Sequence, residues 1–493
     1  MEKQVEVARN KEQVMFRLTK WLAIASVLIV TTTCATNPVT GRRELSLISE
    51  SQEIEMGRRA SQQTLQSMPE IPEAGMKSLV SQMGLRIARA SERPNLPWEF
   101  HTIDDPSVNA FALPGGFIFV SRGLLTHLNS EAELAQVIGH EIGHVTAKHS
   151  VSQMSKAQLA TLGLGVGSIF SSTVRSIGSV LETGLTLAFL KFGRDDEIQA
   201  DDLGFKYSLN QRYDVREAID VYEVLQAIGA RAGGKLPEWQ STHPDPGNRL
   251  SQTQQRIAAL PASSLANLTV NEESYLRLLN GMVYGENPRL GFFRGTRFMH
   301  PDLRFEWTLP NGWQTANLPD AVVGQATAKD AVMQLQISQT ASVADALRAF
   351  LAQQGIQQLS AGTTSINGNS AALGEFEAQT QNGVLRGMVV FIRYGNTTYG
   401  ILGYTPAQRY AAYQGEFRSS IGSFRQLTDQ TALNVQPARI ELVTLPRDMS
   451  IDTFIQTYPS SVSPQDVMLL NDAPTGTMLK SGKLVKRVVG GAK

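Results

Sequence analysis

The pentapeptide His140-Glu141-Ile142-Gly143-His144 constrains this chain more than any other feature. Ser130 and Glu133 just upstream form an S-x-x-E capping box that starts a helix. Leu134, Val137, Ile138, Ile142 and Val145 then recur at the 3.6-residue spacing of a buried helix face. On that helix His140 and His144 lie one turn apart and project from the same side. Two imidazoles so placed bind one zinc ion, and Glu141 reaches the open coordination position as the base that activates water.

A catalytic zinc takes three protein ligands and one water, so the chain must supply a third. His149 follows His144 by five residues, about 500° round an ideal helix, which takes it off the shared face. A carboxylate from a second helix is the alternative, and Glu197-Ile198-Gln199-Ala200-Asp201 supplies one. Glu197 and Asp201 are four apart and share a face. Glu197 is expected to bind the metal, while Asp201 accepts a hydrogen bond from a ligand imidazole and fixes its tautomer. Without the metal motif, the same residues read as a solvated helix face.

Lys+Arg and Asp+Glu both number 45, and no basic stripe with interleaved aromatics is found, so nucleic acid is not an expected partner. The one cysteine, Cys34, excludes an intramolecular disulfide. It follows a basic stretch, Arg17 to Lys20, and an uncharged apolar run, Trp21 to Val30, in the order of an export signal. That run is shorter than the roughly 20 residues a spanning helix needs. A cysteine in this place resembles a bacterial lipobox, although Thr33 and Thr31 replace its usual Gly or Ala and Leu. The resemblance implies lipidation of Cys34 and, with Ala35 next, a membrane anchor on the periplasmic face of the outer membrane. An inner-membrane anchor and a soluble periplasmic protein are the alternatives.

HEIGH, followed by E-x-x-x-D and Gly204, resembles family 48 of the metallopeptidases, the HtpX/BepA-like gluzincins. Cys34 to Gly41 resembles the start of their bacterial lipoprotein members. The resemblance covers roughly residues 34–260, and it implies one zinc ion per chain and cleavage of protein substrates in envelope quality control. Family members commonly carry a glutamate where this chain has Gln199. Ser241-Thr242-His243-Pro244 and then Arg249 resemble the S-x-H-P…R segment that approaches the zinc. There His243 takes the water's position in a latent state or hydrogen-bonds the substrate oxyanion, unless it is an ordinary loop histidine. Arg249 orients substrate or pairs with an acidic neighbour. Asn109, Ala110 and Phe111 match the edge strand that holds extended substrate by main-chain pairing; an ordinary hairpin supporting the helix is the other reading. The Gly- and Ser-rich stretch 157–190 reads as a helical flap over the cleft, a membrane-dipping hairpin or a buried helix pair.

The expected fold class is α+β and multidomain. A targeting segment (1–34) precedes a mainly helical, gluzincin-like zincin peptidase domain with a small edge sheet (35–262). A linker (263–297) leads to an α+β domain (298–427) that opens on Leu309-Pro310-Asn311-Gly312-Trp313 and resembles the PsbP-like sandwiches. A β-α-α-β unit (437–490) resembles a LysM-like module, which implies peptidoglycan as a partner; a generic α/β cap is the other reading. A non-catalytic or chaperone-like envelope lipoprotein is the rival to a peptidase. Glu141 argues against it, because a structural zinc site has no use for a base.

Overall fold

A computed structural model describes residues 34–163, 192–231, 239, 242–243, 248–318, 320–380 and 383–491. The export stretch before Cys34, most of the 157–190 stretch, and Ser241 and Pro244 lie outside the described residues. Among the described residues no helix is long and apolar enough to cross a membrane.

Strand β1 (Cys34–Thr36) pairs with β2 (Arg43–Leu45), and helices α1 (Glu50–Ser67) and α2 (Ala74–Arg89) follow. A three-stranded sheet has the order β3-β5-β4, with β3 (Glu99–Ile103) parallel and β4 (Ala110–Leu113) antiparallel to β5 (Phe117–Ser121). The turn between β4 and β5 runs through Gly115 (φ 80°) and Gly116 (φ 103°), left-handed positions that favour glycine. Short helix α3 (Arg122–His127) leads into α4 (Glu131–Thr146), which carries the HExxH residues. Ser130 caps α4 by accepting from the Glu133 N–H, as the sequence predicts. The reciprocal half differs: the Glu133 carboxylate accepts from Asn129 N at 2.9 Å, one residue upstream of the cap.

Helix α5 (His149–Gly163) follows α4, and α6 (Arg194–Asn210) crosses it. The crossing is tight because small residues face each other. A Cβ built on Gly139 would lie 3.0 Å from Gly204 O, and one on Gly143 would lie 3.2 Å from Ala200 Cα. Glu197 sits in the first turn of α6, where the helix dipole favours a carboxylate. Helices α7 (Ala218–Arg231) and α8 (Arg249–Ala259) complete this layer.

The stretch 263–297, expected as a linker, is folded. Helix α9 (Glu272–Leu279) buries Tyr275, Leu276 and Leu279 in the same core as Val137, Ile138 and Ile142 of α4. The following domain also starts earlier than expected, at β6 (Phe292–Arg294), which pairs with β7 (Arg297–His300), itself paired with β8 (Phe305–Thr308).

Its main sheet is antiparallel, with seven strands in the order β12-β13-β14-β15-β11-β10-β9. These are β9 (Gln314–Asn317), β10 (Val322–Gln325), β11 (Val332–Ile337), β12 (Ile356–Ile366), β13 (Asn369–Thr380), β14 (Gly383–Tyr394) and β15 (Thr397–Pro406). Alternate residues serve opposite faces, as a strand's period of two requires. Val389 and Phe391 pack with Leu347 and Phe350 of α10 (Val343–Leu351), while Val390 and Ile392 pack with Phe417 and Ile421 of α11 (Tyr410–Gly422).

The C-terminal unit runs β17 (Ala438–Thr444), β18 (Met449–Ser450), α12 (Ile451–Thr457), α13 (Pro464–Leu470), β19 (Met478–Leu479) and β20 (Leu484–Gly490), after the short β16 (Arg425–Gln426). β17 and β20 pair antiparallel. Although it has a small core around Phe454, Val467 and Val485, it is not a separate arm. Ile440, Leu470, Leu484 and Val488 belong to the core that contains α4, and Ile440 N donates to Met282 O at 2.9 Å.

Candidate metal centre

Four buried groups converge between α4, α6 and the segment before α8. Ligand atoms of His140, His144, Glu197 and His243 all lie within 4.8 Å of one another. His140 Nε2 is 3.0 Å from His144 Nε2 and 3.3 Å from His243 Nδ1. Glu197 Oε2 is 3.6 Å from His140 Nε2, while its Oε1 is 3.5 Å from His144 Nε2 and 3.0 Å from His243 Nδ1. A tetrahedral zinc with bonds of about 2.0–2.1 Å separates its ligand atoms by about 3.3 Å. The observed spacings bracket that value.

The tautomers agree with a cation. Asp201 Oδ1 accepts from His140 Nδ1 at 2.9 Å, which turns the Nε2 lone pair of His140 inward. Asp201 also accepts from the Tyr222 hydroxyl at 2.9 Å and from Arg249 Nε and Nη2 at 2.8 and 2.5 Å. Burial pushes the Asp201 pKa up, but the Arg249 charge and the His140 hydrogen bond outweigh it and hold the carboxyl below its usual range. Arg249 is therefore engaged by an acidic neighbour, with its guanidinium over the Tyr222 ring at 4.8 Å.

Glu141 is fully buried, and neither carboxylate oxygen has a hydrogen-bond partner. Burial raises its pKa against the opposing pull of His243 and His140. Its Oε1 is 3.6 Å from His243 Nε2, a third atom without a hydrogen bond, and Glu197 Oε2 is a fourth. Buried polar groups normally have partners. A set of unpartnered acceptors around facing imidazole lone pairs fits a divalent cation with water beside it.

Burial depresses the pKa of His144, and neighbouring histidine charges add to the effect. It opposes the raised pKa of His243, which the Glu197 and Glu141 charges cause. The same His243 charge helps keep Glu197 ionised despite its burial. Aromatic rings close the site: Phe192 stacks on His144 at 3.9 Å and Trp239 on His243 at 4.3 Å.

Several neighbours escaped the sequence reading. His149 Nδ1 is 2.9 Å from His144 Nδ1, and its Nε2 is 2.9 Å from Gln199 Oε1. His149 stays outside the ligand set, but not for the reason helix phase gave: the helix stops at Thr146 and Lys148 has φ 59°. Gln199, where family members commonly carry a glutamate, holds this second imidazole. Tyr222, Trp239 and Phe192 carry no motif, and only their aromatic character marked them.

Of the remaining expected residues, Ala110 and Phe111 lie in β4, an edge of its sheet that packs on α4. All four β4 residues are buried, and Asn109 just before it is buried too, with Oδ1 unpartnered. Cys34 begins β1, opposite Leu45.

Residues 77–257 match the model described as Peptidase family M48. His140, Glu141, His144, Glu197, Asp201, His243 and Arg249 all fall inside that range. The chain carries a peptidase family M48 domain. Relatives of this M48 domain include the Mitochondrial metalloendopeptidase OMA1 of Arabidopsis thaliana, 38% identical over 158 residues that cover 32% of this chain and 31% of the relative. The Beta-barrel assembly-enhancing protease of Escherichia coli K12 is 27% identical over 285 residues, 56% of each chain. The matches thus span about a third to just over half of these relatives' lengths. Among solved structures, the cyanobacterial PsbP of Synechocystis sp. PCC 6803 aligns with 28% of this chain and 95% of its own, at 17% identity and a TM-score of 0.24.

Proposed function

We propose that this chain is a zinc-dependent endopeptidase of the bacterial cell envelope, active in protein quality control, with one zinc ion held by His140, His144 and Glu197. The tetrahedral spacing of the buried ligand atoms beside the unpartnered carboxylate of Glu141 supports it. Zinc, when bound, supplies a Lewis acid that acidifies a water to a pKa of about 7 and polarises the scissile carbonyl. Glu141 accepts the proton of the attacking water and returns it to the leaving amine. Asp201, clamped by Arg249 and Tyr222, keeps the His140 lone pair aimed inward. Arg249 on this reading acts through Asp201.

His243 Nδ1 stands at the fourth corner of the ligand set, so the geometry favours the latent reading over an oxyanion helper. Turnover then requires His243 to withdraw. Extended substrate would pair with β4 near Asn109, Ala110 and Phe111, after displacing whatever covers that edge. Lipidation of Cys34 would hold the enzyme on the periplasmic face of the outer membrane, where protein substrates are its partners. Peptidoglycan binding by 437–490 has less support, because that unit shares its core with the peptidase domain.

Replacing Glu141 by Gln tests the mechanism. The variant is expected to retain zinc and lose cleavage of casein, and an active variant defeats the base assignment. New N-termini in envelopes carrying the wild type but not Glu141→Gln would name the substrates.

A further inference from the structure

We propose that His149 is a positioning residue for the metal centre, holding His144 in its metal-binding tautomer through a chain of hydrogen bonds anchored on Gln199. This rests on the zinc reading above and concerns a part of the site which that reading leaves unassigned.

The chain of contacts is continuous. His144 Nδ1 meets His149 Nδ1 at 2.9 Å, and His149 Nε2 meets Gln199 Oε1 at 2.9 Å. Two imidazole nitrogens at that distance bond only if one carries the proton and the other a lone pair. The far end decides which. Gln199 presents its carbonyl oxygen, and Asp196 Oδ1 lies 3.8 Å from the same His149 nitrogen. Both are acceptors, so His149 carries its proton on Nε2. A neutral His149 then offers a lone pair at Nδ1, and His144 donates its Nδ1–H to it. The remaining lone pair of His144 is on Nε2, the atom that faces His140 and Glu197. Reversing the chain would put a proton on that nitrogen and exclude a metal.

His149 thus does for His144 what Asp201 does for His140. The two anchors share α6: Asp201 for one ligand, Gln199 for the other, with the ligand Glu197 two residues before Gln199. His149 can reach back because α4 ends at Thr146 and the left-handed Lys148 redirects the chain before α5 begins. His149 and His144 are both buried, 4% and 1% exposed, so water does not substitute readily for either bond.

Zinc affinity of the full chain, measured by competition with a chromophoric chelator, tests the proposal. Partners of this kind change metal affinity about 10–100-fold when removed. His149→Ala is expected to weaken zinc binding by that factor. His149→Asn places an amide oxygen where Nδ1 stands and is expected to recover most of it. Gln199→Leu, on a half-exposed helix position, is expected to weaken binding with no change in the thermal unfolding of the metal-free chain. Equal affinity in His149→Ala and wild type overturns the proposal, as does an Asn variant no better than Ala. A wild-type chain that binds no zinc overturns the metal reading itself, and this proposal with it.

Discussion

Gly204 meets the backbone of His140 so closely that a Cβ on it would lie 2.8 Å from His140 N. Two helices far apart in sequence are held at backbone contact where each contributes to the candidate metal site. The ligand geometry therefore depends on a residue with no side chain.

Gly204→Ala is expected to force α4 and α6 apart, since a contact under 3.0 Å against backbone has no flexible group to yield. Overpacking of this kind costs about 1–3 kcal/mol. Urea unfolding of the metal-free chain should show that loss, and chelator competition should show weaker zinc binding. Unchanged affinity would mean that the helix spacing does not set the ligand geometry.

The metal motif was legible in the sequence because its residues obey helical periodicity: His140 and His144 share a face, as do Glu197 and Asp201. What periodicity cannot give is the crossing of two helices, so the expectation that Glu197 is the third ligand rested on its pairing with the HExxH motif. The contact of His149 with His144 was missed because one left-handed residue, Lys148, broke the helix that the angle calculation assumed. The stretch 263–297 was expected as a linker, yet within it Tyr275, Leu276 and Leu279 form a buried helix face. Lys486 was not legible at all: lysines are almost never fully buried unless paired, and nothing local signals that this one is.

The ammonium of Lys486 donates to Thr126 O and Leu128 O at 2.9 and 3.0 Å, beside Glu133 in the first turn of α4. Burial raises the Glu133 pKa from 4.5 to about 8 and lowers that of Lys486 from 10.5 to about 7. Between pH 4.5 and 8 the folded state keeps a proton on Glu133 that the unfolded chain releases, so stability falls as pH rises. Above about 7 the unfolded chain keeps the lysine proton that the folded state gives up, so stability recovers toward pH 10.5. Glu133→Gln removes the first limb while retaining an acceptor for Asn129 N. Urea midpoints should therefore drop less between pH 5 and 8 in the variant, a gain of about 1–4 kcal/mol at pH 8. A variant with the wild-type slope would show that Glu133 is not the group responsible.

His243→Ala separates the two roles for that residue. A latent fourth ligand predicts faster casein cleavage on its removal, with zinc still held by three ligands. An oxyanion helper predicts slower cleavage at unchanged zinc content. The geometry leads us to expect the first result.

Chelation should both stop cleavage and lower thermal stability, because a ligand bound only by the folded state stabilises it by about 4 kcal/mol at a thousandfold excess over its dissociation constant. Adding zinc back should restore both. Restored stability without activity would locate the ion away from Glu141.

The most direct measurement is the zinc content of the purified chain against that of Glu197→Gln, which keeps the volume of the side chain and removes the charged ligand. The account expects one zinc per wild-type chain and a near-complete loss in the variant after dialysis. Full zinc occupancy in Glu197→Gln would contradict it.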